Sequence, residues 1–159
     1  MLCNAHVRSQ ISESTKLLVS AHKIHGTPLT GIEGLPEPTH LHHPSTKWVA
    51  AHHSHYNWLW NHLSALLDEY KLRHGVPHYY CNYVEALAEL PETLKHQARR
   101  GEWNGQKPPP AVVSADLKPK FDDEDITSED VVAAYRRYYN RDKRHLHYWM
   151  VRAKPDWID

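Results

Sequence analysis

Trp48, Leu59 and Leu66, flanked by Val49, Tyr56, Trp60, Leu63 and Leu67, form two adjacent apolar stripes at helical spacing. Such a pattern suits a helix and cannot alternate as a strand does. It predicts one helix that starts at Pro44, with Ser45 or Thr46 at its cap, and runs to about Arg73. Stripes this broad predict a central, nearly surrounded helix.

The rest of the chain reads the same way. A first helix is expected from about Leu2 to His25, stopping at Gly26, and the three Gly and three Pro within residues 26–38 then force an irregular crossing that ends in "HLHHPST". After the "GVPHYY" break, "YVEALAELPETLKHQARR" gives either one kinked helix or two short ones meeting at Pro91. Residues 101–126, with Pro108, Pro109, Pro110 and the acidic run Asp122–Asp125, read as a loop with a solvated charge cluster. "TSEDVVAAYRRYYNRDKRHLHYW" resumes helical spacing, with Thr127 or Ser128 as cap, acids in the first turn and bases later, as the helix dipole favours. No repeat or strand pair emerges. The expectation is an all-α fold, and 159 residues suit a single domain.

Composition narrows the function classes. Nineteen basic residues balance nineteen acidic ones, so the chain lacks the basic excess with which duplex-binding proteins displace counterions. The basic residues are uneven: residues 131–159 hold seven against three acidic side chains. Fifteen His, six Trp and nine Tyr against one Phe weight the aromatic inventory towards rings that stack and also hydrogen-bond. Cys3 and Cys81 are too few for a disulfide framework and lack the spacing of a structural zinc site. No signal peptide or apolar run of about 18 residues is present, so the expected setting is cytoplasmic, with no membrane partner.

Three groups of residues are candidates for chemistry. In the first, His6, Gln10 and Glu13 lie within one helical stripe that Leu17 and Ile24 continue. A carboxylate heading an apolar stripe is expected to be partly desolvated, which favours its protonated form and suits acid–base work. The alternative is a surface Glu that happens to align, paired with Lys16. In the second, the histidines of "HLHHPST" and "HHSHY" offer His43, His52 and His55 beside Trp48. Their spacing lacks the HExxH arrangement of a helical zinc site, so pocket or core histidines are expected rather than metal ligands. In the third, Tyr135, Arg136, Arg137, Tyr139 and Arg141 interleave rings that can stack on bases with guanidinium groups that grip phosphate. An amphipathic helix with tyrosines inward and arginines in water has the same pattern.

Taken in order, "AHVRSQISES", "HHPSTKW", "YNWLWNHLSALLDEYKLRHG" and the late Tyr/Arg segment resemble the phage endonuclease V family, the pyrimidine-dimer DNA glycosylases. The resemblance implies a compact helical fold in which Glu13, seven residues after His6, is the catalytic carboxylate and the aromatic, basic tail holds damaged DNA. The family's other catalytic group is the α-amine of the first residue, which attacks the sugar carbon. About twenty residues precede the family's Glu and lead that amine into the pocket. Here twelve do, and Leu2 is expected to hinder removal of Met1. The expectation is therefore a binding pocket derived from a base-flipping site. It would hold a nucleotide-like ligand, such as a cyclic ADP-ribose derivative used as a host immune signal, without a cofactor. The alternative is a DNA N-glycosylase or nucleotide N-glycosidase that uses Glu13. A homo-oligomer is the other expected partner arrangement.

Overall fold

Gly26, at φ 68°, ends the first helix where the sequence places its stop, because a left-handed residue turns the backbone out of the helical path at no steric cost. The computed structural model describes residues 2–101, 107–119 and 126–159. Among them are six α-helices and no strand: α1 (Asn4–Ile24), α2 (Pro44–Ala51), α3 (His53–His74), α4 (Val84–Ala88), α5 (Glu92–Arg99) and α6 (Ser128–Asp142). The chain is all-α, and none of these helices is long and apolar enough to cross a membrane. The acidic run Asp122–Asp125 lies outside the described residues. Two compact units make up the chain, Val7–Gln106 and a second formed by Met1–His6 with Lys107–Asp159.

In the first unit, α1 buries Val7, Ile11, Leu18 and Ala21. This face lies one residue later than the stripe of His6, Gln10, Glu13, Leu17 and Ile24, which is the flank of the helix; Ile24 is 42% exposed. The true core face was masked because it carries polar residues that bond internally. The Thr15 hydroxyl donates to Ile11 O (2.8 Å). The Ser20 hydroxyl donates to Thr39 O and accepts from Thr39 N, both at 3.0 Å, which fixes the long crossing onto α1. That crossing is also tied by Thr46 to His40 O (3.0 Å) and by Tyr83 to Glu33 O (3.1 Å).

The expected helix from Pro44 to Arg73 is two helices. His52 breaks it at φ −153°, ψ 146°, and its imidazole Nδ1 accepts from Ser54 N (3.2 Å). Helix propensity is weak enough for one capped residue to override it. His43 caps α2 in the same way (Ser45 N, 3.2 Å), and His78 caps the 3-10 turn Tyr79–Tyr83 (Tyr80 N, 3.1 Å). Three histidines thus act as helix caps.

Rather than being nearly surrounded, α3 buries one face. Tyr56, Leu59, Leu63, Leu66 and Leu67 face inward, whereas Asn57, Asn61, Asp68 and Leu72 are exposed. Each buried leucine contributes roughly 1.5–3 kcal/mol. Tyr56 donates to Leu87 O and the Trp60 indole to Val84 O, both at 2.9 Å, so α3 holds α4 by its polar ring atoms as well as by apolar contact. Of the two arrangements open around Pro91, two short helices form, with Pro91 as the N-cap of α5.

In the second unit, α6 opens on the expected cap. Thr127 and Asp130 form a reciprocal capping box. The helix ends at Asp142, however, and a 3-10 turn, Arg144–Leu146, precedes an irregular segment in which helical spacing no longer applies. The core here is Cys3, Tyr139 and Ile158, with Leu2, Leu146, Trp149 and Trp157 packed against it. Asn4 N donates to Tyr148 O (3.0 Å) and Asn140 Nδ2 to Trp157 O (2.9 Å), which hold the N-terminal residues and the last turn in place.

Candidate functional site

The candidate residues fall into three separate arrangements. Glu13 is exposed rather than partly desolvated, and the Gln10 side-chain amide donates to its Oε2. His6 belongs with the C-terminal segment, where its Nδ1 bonds the Tyr139 hydroxyl and the rings meet edge to face at 4.9 Å. Tyr139 is 4% exposed and His147 stacks against it at 6.1 Å, so this tyrosine is a core residue with a satisfied hydroxyl rather than a stacking surface.

The histidines of the first unit have structural partners. His43 and His52 are caps. The His55 ring is buried, stacks on Trp48 (4.4 Å, 11° between planes) and hydrogen-bonds Trp48 O at 2.9 Å. Trp48 also meets Trp58 edge-on (5.7 Å), and Trp58 stacks on His62 (5.3 Å), whose imidazole is pushed below the usual range by burial. No group of three or more His, Cys, Asp or Glu side chains among the described residues is arranged to hold a metal ion.

Arg136, Arg137 and Arg141 do come together. With Arg144 they line an open basin of about 580 Å³ on the second unit, whose remaining walls are Leu117, Asn140, Trp157 and Asp159. Helical spacing explains the convergence. Arg137 and Arg141 lie one turn apart, as do Arg136 and Asn140, and Arg144 follows where the helix gives way to the 3-10 turn. Tyr135, by contrast, turns aside to accept from Val112 N (3.1 Å).

The four guanidinium groups are not equivalent. Arg141 pairs with Asp116 and makes a two-bond contact with Asp142 (2.6 and 2.8 Å). Those bonds hold the Asp142 carboxyl down at about 2 and the Asp116 carboxyl below its ordinary range. Arg136 lies over the Trp157 ring, 5.5 Å from its centroid. The charge of Arg137 helps to keep the Asp130 carboxyl ionised, after the larger effect of the Thr127 hydrogen bonds. Among the described residues no ion pair engages Arg144. Arg144 belongs to the basic run that the sequence displays, whereas Trp157 carries no local signal, because its place depends on the chain folding back onto α6.

Comparison with protein-family models, with curated proteins and with solved structures finds no match for this chain.

Proposed function

We propose that this chain is a nucleotide-binding protein that holds the phosphates of a nucleotide-like ligand on the arginine basin of its C-terminal unit. The observation behind this reading is the convergence of Arg136, Arg137 and Arg144 on one basin. Guanidinium groups grip phosphate oxygens in pairs of parallel hydrogen bonds, and water-exposed ones meet little desolvation cost before the ligand arrives. Overall charge neutrality favours a small phosphate ligand over a duplex, which rewards an extended basic face. A binding role needs no nucleophile, and the sequestering of a cyclic ADP-ribose-type signal belongs to this class. An enzymatic reading, nucleotide or DNA N-glycosidase action through Glu13, draws on the Gln10 bond that orients that carboxylate.

The test is a thermal-shift titration with ADP, cyclic ADP-ribose and damaged duplex, followed by analysis of the recovered ligand. Binding stabilises the fold by about 2.7 kcal/mol at a hundredfold excess over Kd. The expected result is a shift with a nucleotide, recovered intact and unaffected by Glu13→Gln. Base release that Glu13→Gln abolishes would establish the enzymatic reading instead, and the absence of any shift would refute nucleotide binding.

A further inference from the structure

The composition of the basin says which part of such a ligand it reads. Resting on the nucleotide reading above, we infer that the basin recognises a diphosphate group, and does so without stacking on the base.

Trp157 is the flat ring at hand, and its surroundings leave it unsuited as a platform. The Arg136 guanidinium covers one face, and the Tyr139 ring meets it edge-on at 5.8 Å. A base stacking there has to displace an arginine that already occupies the favourable position over the indole. Trp157 therefore orients Arg136 rather than receiving a base.

Arg141 is a positioning residue. Its ion pairs with Asp116 and Asp142 use up its charge and join the short turn Ala115–Leu117 to α6, so that Leu117 forms the apolar wall of the basin. Three guanidinium groups are left for a ligand: Arg136, Arg137 and Arg144. The basin sits beside the C-terminal end of α6, where the helix dipole presents its negative pole and repels anions. The guanidinium groups alone must then provide the attraction.

Charge decides the ligand. A diphosphate brings a charge of about −3 to meet the three guanidinium groups, whereas a monophosphate brings about −2 and leaves part of theirs unbalanced. Asp159, on the basin wall, opposes every anion.

Isothermal titration of the full chain with inorganic pyrophosphate, inorganic phosphate, ADP, AMP and adenosine tests this. Pyrophosphate and ADP are expected to bind within a fewfold of each other and to compete. Phosphate and AMP should bind at least tenfold more weakly, and adenosine not at all. Arg137→Gln and Arg144→Gln should each weaken ADP at least tenfold, whereas Asp159→Asn should tighten it, a gain that misfolding cannot mimic. If ADP binds but pyrophosphate fails to compete, or AMP binds as well as ADP, the diphosphate inference is wrong and the nucleotide reading survives. If pyrophosphate binds and no nucleotide does, the nucleotide reading fails and takes the inference with it. A single-stranded oligonucleotide that displaces ADP at equal affinity would mean that phosphodiesters are read, which also overturns it.

Discussion

Replacing the three capping histidines tests whether imidazole nitrogens hold this fold together. His43, His52 and His78 each accept one backbone N–H at a helix start, at 3.1–3.2 Å. An Asn at each position keeps an acceptor at the end of a short side chain, whereas an Ala removes it; both delete the ring, so their difference isolates the cap. A lost N-cap costs about 1 kcal/mol, and the triple Ala variant should therefore fall about 3 kcal/mol below the triple Asn variant. For a chain of this length each kcal/mol moves Tm by about 2–4 °C, giving a gap of about 6–12 °C in circular-dichroism melts at pH 8. The gap should narrow only slightly in acid, because neither replacement titrates. Wild type should behave otherwise. A protonated Nδ1 cannot accept, and the new cation faces the positive end of a helix. For His78, burial and then the charge of Arg8 hold the folded imidazole below its ordinary range. The unfolded chain thus binds the proton more readily. Stability is complete above the ordinary imidazole range, near pH ~6.5, and is lost as pH falls from there through the lower folded value. His22 and His62, both lowered by burial, add to the same acid loss. Equal melting of the Ala and Asn variants at pH 8 would refute the capping role.

Two further predictions concern packing. A Cβ on Gly34 would run into the hydroxyls of Tyr79 and Tyr83, whereas Gly31, also at positive φ, faces open space. Gly31→Ala should cost about 1–2 kcal/mol in backbone strain, and Gly34→Ala about 1–3 kcal/mol more in urea denaturation; equal losses would mean that the rings move aside freely. Glu69→Gln should cost about 1–3 kcal/mol, because the buried Arg73 side chain loses a charged partner at 2.7–2.8 Å while keeping its other interactions. An unchanged denaturation midpoint would show that those other interactions suffice.

Helix positions were legible wherever breakers and caps were explicit. Gly26 and Gly75 lie where the sequence places the helix stops, and of the two caps open for α6 it is Thr127 that serves. The break at His52 was not legible, since histidine is a rare cap and its neighbours continue helical spacing on both sides. The core face of α1 was misread by one residue because Ser14, Thr15 and His22 are buried and look polar in a pattern count. The Thr15 hydroxyl and the His22 ring find partners in the backbone, and no local pattern reveals that. The arginine group was legible as a basic run, because helical spacing alone brings Arg136, Arg137 and Arg141 to one wall. Which of them remain available to a ligand was not, since that depends on Asp116 and Trp157, both far along the chain.

The second unit draws its core from the two ends of the sequence. Asn4 meets Met150 across 146 residues, and Cys3 shares its core with Ile158. On a ribosome, the Val7–Gln106 unit has all of its own partners once Gln106 has emerged, and it can become ordered while the remainder is being made. The arginine basin has no such head start. Its walls come together only after Trp157 and Asp159 have been added, so this basin is assembled later than the Val7–Gln106 unit.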